Sequence, residues 1–141
     1  MCDFEDQIGK NSKANAHVIV SFLSAFNRAD ADGMGALFRD DALVNDQLRN
    51  FWGRSAIHAW IASEVIADNL RIEVLHTFEH YCVTTIVGAI TGTFDTKGLP
   101  SPLILNLHFS IFDDRIARLF ILLDRKVNTS ADLRIRGPKI V

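Results

Sequence analysis

Residues 38–60 read FRDDALVNDQLRNFWGRSAIHAW, and the reading of this stretch organises the rest of the chain. It opens at Leu37-Phe38, the end of a short helix, and continues through Ala42-Leu43-Val44 as a strand. The strand ends at the polar group Asn45-Asp46-Gln47, and a loop follows. Gly53 then precedes an amphipathic helix that starts at Arg54-Ser55-Ala56-Ile57-His58-Ala59-Trp60. A carboxylate at the end of an apolar strand stands between core and opening, where desolvation can tune an acid. Asp46 is therefore the first candidate for chemistry; the alternative is a loop-entry aspartate making turn hydrogen bonds.

Upstream, Ile19, Phe22, Leu23 and Phe26 recur at helical spacing, with Ser21, Ser24 and Arg28 opposite them. Asn11 or Asn15 is the expected cap of this helix, and residues 1–13 read as a polar tail leading into it. Asp30-Ala31-Asp32-Gly33 breaks the pattern, and Asp30 or Asp32 can cap a short helix through Met34, Leu37 and Phe38. Downstream, a third helix at about 54–67 carries Ile57, Trp60, Ile61, Glu64 and Val65.

After that the period falls to two. Leu70–His80 alternates, with Ile72, Val74, His76 and Phe78 on one face. Cys82–Phe94 is rich in β-branched residues, and Gly88 and Gly92 suggest bends in a curved sheet. Residues 96–100 form a loop. Leu105, Leu107, Phe109 and Ile111 make one face of the next strand, and Asn106, His108 and Ser110 the other. Asp113-Asp114 turns tightly into Ile116–Leu123, whose run Leu119–Leu123 is apolar on both faces, as in a strand covered on both sides. Three helices followed by long strands make an α+β plan, a strongly bent sheet wrapped over helices. Residues 14–125 form one domain, and 126–141 a basic tail with Arg134, Arg136 and Lys139.

The totals narrow the function classes. A chain of 141 residues is one domain by length. Its hydrophobic share of 48% and charged share of 23% are those of a globular protein. A net charge of -2 and a pI near 6.2 argue against a nucleic-acid partner. No apolar run is long enough for a membrane span, and the acidic start lacks the apolar core of a signal peptide. Cys2 and Cys82 form no spaced framework and read as free thiols, which points to the cytoplasm. His76 and His80 are four apart on a strand, about 13 Å, too far to share an ion, and no metal or cofactor is expected. His58 reads as a surface or partly packed residue, and His17 has no visible partner. There is no glycine-rich phosphate loop and no nucleophile elbow.

Several short runs resemble the nuclear transport factor two-like superfamily, especially the SnoaL-like polyketide cyclases and ketosteroid isomerases. They are Asn27–Gly33, Leu37–Ala42, Gly53–Ile57 and Phe112–Ile116, so the resemblance covers about residues 15–125. It implies a cone-shaped α+β barrel of cystatin-like type: three N-terminal helices packed in a strongly curved mixed or antiparallel sheet. It also implies a pocket for a small apolar molecule. In the isomerases an Asp at the place of Asp46 moves the proton. The family's Tyr on the first helix falls on Phe22, which has no donor, and its protonated Asp on the sheet falls on His108. An Asp needed by epoxide hydrolase-like members falls on Ile121, which argues against that chemistry.

Two function classes stand on these readings. One is a cofactor-independent isomerase or cyclase with Asp46 as base and His108 donating to a developing enolate oxygen. Phe22, Trp52, Trp60, Asn106 and Ser110 would then contact the ligand. The other is a non-catalytic binding or carrier domain. If Asn106, His108 and Ser110 face the pocket, Leu105, Leu107, Phe109 and Ile111 face outward, and that apolar face predicts a homodimer packed sheet to sheet.

Overall fold

The computed structural model describes residues 4–124, with side chains described from residue 15. The expected basic tail at 126–141 lies outside the described residues. The elements are α1 (Phe4–Asn27), α2 (Ala31–Gly35), β1 (Phe38–Asp46), β2 (Arg49–Trp52), α3 (Gly53–Trp60), a π-helical turn (Ile61–Ile66), β3 (Arg71–His80), β4 (Val83–Thr91), β5 (Leu103–Phe112) and β6 (Arg115–Leu123). The strands form one mixed sheet in the order β2-β1-β6-β5-β4-β3. Among the described strands only the β1–β6 pairing is parallel. This is the expected α+β plan of three helices with a mixed sheet, which has six strands because β2 adds one to the expected five.

Helix α1 starts at Phe4, well before the caps expected at Asn11 or Asn15. Its apolar stripe is buried as the spacing requires, with Val18, Ile19, Phe22, Ala25 and Phe26 all in the core. Asn27 pins the end of α1 to the sheet: its amide donates to the Ile72 carbonyl at 3.0 Å and its Oδ1 accepts from the Ile72 amide at 2.8 Å. Asp30 is the N-cap of α2, accepting from the Gly33 amide at 2.9 Å.

Two expectations about local structure are corrected. The segment after Val44 is a hairpin, not a loop: β1 runs on to Asp46 and pairs with β2. Gln47 and Leu48 make the two-residue turn, both with positive φ (52° and 71°), the conformation that follows the right-handed twist of the strands. Neither residue advertises such a turn, which is why the sequence hides it; Asp113-Asp114 repeats the geometry between β5 and β6 with φ of 55° and 60°. In β3 the expected single face of Ile72, Val74, His76 and Phe78 is broken by a register shift between Val74 and His76. Ile72 joins the core while Phe78, paired with Thr85, is 53% exposed. Gly88 stands opposite this irregularity, and a Cβ there would meet the Ile72 side chain at 2.6 Å.

The facing of β5 is the larger correction. Leu107 and Phe109 belong to the core beneath the helices, with Leu103, Leu105 and Ile111 packed against it. Phe22 on α1 meets Phe109 edge-on, with ring centroids 5.3 Å apart. Leu105, Leu107, Phe109 and Ile111 therefore point inward and Asn106, His108 and Ser110 outward, the reverse of the expectation. The outer face also carries apolar side chains: Leu43, Val87 and Ile104 are buried there outside the main core, and Leu122 is 37% exposed. Cys82 is disulfide-bonded, against the expectation of a free thiol; Cys2 lies outside the described residues. No helix among the described residues is long and apolar enough to cross a membrane.

Candidate functional site

The last residue of β1 is the centre of a compact polar cluster. Ala42 and Val44 point to the core, so strand alternation sends Asp46 to the same side, at the rim. Its side chain is 16% exposed. Oδ2 accepts two hydrogen bonds, from the Trp60 indole Nε1–H at 3.0 Å and from Arg49 Nη2 at 3.0 Å. Oδ1 has no hydrogen-bond partner among the described residues. Burial pushes the carboxyl above its ordinary 3.8, opposed by the Trp60 and Arg49 donors, while the nearby Glu64 charge adds to the rise.

Each partner comes from a different element. Trp60, at the end of α3, is 3% exposed and tilts against Phe51 of β2 at 6.2 Å. Arg49 opens β2 directly after the turn, cross-strand from Asp46, with its guanidinium 5.5 Å from the Phe51 ring centre. Glu64 comes from the π-helical turn, a widened helical geometry frequent at functional sites. It receives both arms of the Arg49 fork, Nη1 and Nη2, each at 2.7 Å. Hydrogen bonding to Glu64 raises the Arg49 pKa further, so the cation is permanent.

Of the residues expected at a site, the structure brings together Asp46 and Trp60. Phe22 lies deeper, 0% exposed, among Phe26, Phe38 and Phe109. Trp52 pairs with Leu43 and so takes the face of the hairpin opposite Phe51, 60% exposed. His108 lies across the sheet from Asp46, on the outer face, with Nδ1 at 2.8 Å from the Thr85 hydroxyl; burial lowers its pKa. Asn106, on the same face, has a buried Oδ1 with no hydrogen-bond partner among the described residues. Ser110, cross-strand from Val83, belongs there too. The expected meeting of Asp46 with His108, Asn106 and Ser110 in one cavity is therefore corrected: the sheet separates them.

Sequence reasoning missed Glu64, although a signal was present. It falls on the apolar stripe of the third helix, four residues after Trp60, where a carboxylate needs a cation or donor beneath it. Two open clefts lie elsewhere. One of about 370 Å³ is lined by Arg39, Asp40, Asp41, Asp113 and Arg115, and one of about 220 Å³ by Asp32, Gly35, Ala36, Arg54 and His58. Their charges are largely paired, as in Arg39–Asp41 at 3.0 Å and Arg54–Asp40 at 2.8 Å, and His58 Nε2 lies 3.3 Å from Asp32. No group of three or more metal-ligating side chains is assembled among the described residues.

A bent mixed sheet closed over by an N-terminal helix, with an acid at the rim of its concave side, defines a class of small cone-shaped α+β domains. Within that class the chain belongs to the SnoaL-like domain family, whose profile matches residues 19–119. Among solved structures it is similar to a Sinorhizobium meliloti protein provisionally named a polyketide cyclase. That likeness has 28% identity and a TM-score of 0.67, covering 74% of this chain and 93% of that one. It is similar in fold to a Kribbella flavida protein provisionally named a ketosteroid isomerase, at 10% identity and a TM-score of 0.67, covering 81% and 80%. A third likeness is to SalBIII, an epoxide hydrolase/cyclase-like enzyme of pyran ring formation in the polyether salinomycin, at 15% identity and a TM-score of 0.67, covering 84% and 96%. The comparison with curated proteins returned no match.

Proposed function

We propose that this chain catalyses proton transfer on an apolar carbonyl compound, an isomerase- or cyclase-type reaction without a cofactor, with Asp46 as general base. The observation that carries the reading is the state of the Asp46 carboxylate. One oxygen is fixed by two donors, the other has no partner among the described residues, and burial raises its basicity. A base must be held still and matched to its task, and both conditions favour abstraction of a proton next to a carbonyl. Phe51 and Trp60 supply an apolar wall beside it. The names of the cyclase and isomerase neighbours agree with this chemistry, and the 28% identical one carries the most weight.

A second reading, a non-catalytic binding or carrier domain, is favoured by Phe22. It brings no donor, and with Phe38 and Phe109 it fills the space beneath the sheet. The test separating the two uses enolisable ketones and polyketide-like esters in deuterated water. Exchange of the proton next to the carbonyl is followed by NMR for the wild type and for Asp46→Asn, which keeps the shape and removes the base. The wild type is expected to accelerate exchange, and Asp46→Asn to lose about 100-fold or more of that acceleration. Equal rates for both proteins on any substrate that reacts would leave the carrier reading.

We also propose that two copies pack through the outer sheet face. Leu105 and its neighbours face the core, but β6 carries apolar side chains on both of its faces. Leu122, Phe78 and Trp52 are exposed hydrophobic members of the outer face, which also holds the buried Val87 and Ile104.

A further inference from the structure

We propose that Glu64 is a positioning residue that engages the Arg49 guanidinium so that Asp46 is oriented by the arginine without being neutralised by it. The inference deepens the reading of Asp46 as a base and rests on it. Its ground is the sharing of one cation between two carboxylates. Arg49 gives both arms of its fork to Glu64, at 2.7 Å each, and only the remaining Nη2 hydrogen to the Asp46 carboxylate, at 3.0 Å, while its Nε donates to the Asp46 backbone carbonyl at 3.2 Å. The paired fork is the stronger geometry, and it is the one Glu64 holds. The Asp46 carboxylate receives a single longer bond from the guanidinium, on the same oxygen that Trp60 already occupies.

The charges follow from that geometry. Two carboxylates and one guanidinium leave the cluster with a net single negative charge, and most of the cation's field is met by Glu64. An arginine paired to Asp46 alone would hold it as a weak base, because an adjacent cation favours the ionised carboxylate. With Glu64 in place, the bond to Arg49 fixes the direction of Asp46 Oδ2 while the Glu64 charge opposes loss of its proton. The direction of the Asp46 shift agrees: burial raises it first, Arg49 lowers it, and Glu64 raises it. Among the described residues, Arg49 and Glu64 are the charges that act on the carboxylate. Trp60 and Phe51 are neutral, and the β6 residue paired with Asp46 is Ile121.

The two partners must therefore act on Asp46 with opposite signs. The Asp46 carboxyl is titrated by carbon-detected NMR in the full chain, wild type and variants, with no substrate present. Glu64→Gln, which keeps the shape and removes the charge, is expected to lower the midpoint by about half a pH unit or more. Arg49→Gln is expected to raise it by a similar amount, and the double variant to fall between the two. Arg49→Lys keeps the charge and should restore most of the Arg49→Gln shift, which also covers the case of an unfolded Arg49→Gln. If the cluster were only a brace, both single variants would let water reach Asp46 and move its midpoint the same way, downward. That result, or an unmoved midpoint in Glu64→Gln, overturns the proposal. Because the titration needs no turnover, its outcome is separate from that of the exchange assay. Failure of the exchange assay alone removes the base reading and leaves the charge sharing standing.

Discussion

Phe22→Ala is the sharpest probe of what fills the cone. The side chain is wholly buried, and it meets Phe38 and Phe109 edge-on, at 6.0 Å and 5.3 Å with interplanar angles of 78° and 73°. Truncation removes about 100 Å² of buried apolar surface relative to alanine, or about 2.5 kcal/mol at 25 cal/mol per Å². Each lost edge-to-face pair adds about 1 kcal/mol, so the two bring the sum to about 4.5 kcal/mol. This lies within the range of about 3–5 kcal/mol for buried aromatic-to-alanine changes. For a domain of this size the loss corresponds to a fall in Tm of about 10–15 °C. Urea unfolding followed by far-ultraviolet circular dichroism measures it directly, and the slope with denaturant checks that the transition stays two-state. A loss below about 1 kcal/mol would refute the reasoning and show that Phe22 borders an open space. Phe22→Tyr sharpens the test, since a hydroxyl placed there without a partner should cost about 1–3 kcal/mol, whereas an open cavity would accept it.

Three other expectations are open to measurement. Asp46 titrates above its ordinary 3.8 in the folded state, so its contribution to stability is fully present below that value and is lost as pH rises through the folded midpoint. Asp46→Asn should therefore be more favourable to stability at pH 7 than at pH 3.5, and urea unfolding at the two pH values should show it; a difference of the opposite sign would mean that Trp60 and Arg49 outweigh burial. Sedimentation at micromolar concentration should give a species of twice 15.8 kDa, and Leu122→Lys should shift it toward the monomer; a wild type running only as monomer removes the sheet-to-sheet proposal. Trp60→Phe, which keeps the apolar body but deletes the indole donor to Asp46, should slow proton exchange about 10-fold while costing only about 1 kcal/mol of stability, and an unchanged rate would show that the indole does not orient the base.

The helices and long strands were legible because their signals are local. The stripe Ile19-Phe22-Phe26 buries itself against any core it meets, and the Asp30 side chain caps α2 wherever the helix goes. The hairpin at Gln47-Leu48 was not legible, because its turn residues carry none of the usual preference for positive φ. The structure holds them there from outside: the Gln47 amide and side chain both donate to the Ile121 carbonyl, at 3.0 Å and 3.1 Å. A long-range contact with β6, 74 residues away, helps fix a conformation that the local sequence does not favour.

The assignment of faces failed for a different reason. Alternation in Leu103–Phe112 separates two sets of side chains without saying which set faces the helices, and polarity is a poor guide when both sets can be covered. Placing Asn106, His108 and Ser110 inside assumed that a polar face lines a pocket, yet the leucines and Phe109 were needed there by the aromatic stripe of α1. Phe22 meeting Phe109 at 5.3 Å decides the matter, and the parity then carries His108 and Asn106 to the outer face together. The same parity works in favour of Asp46. Val44 is in the core, so two residues on, at the last position before the turn, a side chain must come out on the concave side at the rim. What the strand supplies is position; what α3 and the π-helical turn add, through Trp60 and Glu64, is the company that makes a carboxylate at that position chemically unusual. Moving the turn by one residue would carry Asp46 to the His108 side and leave Arg49 and Glu64 paired with nothing to share.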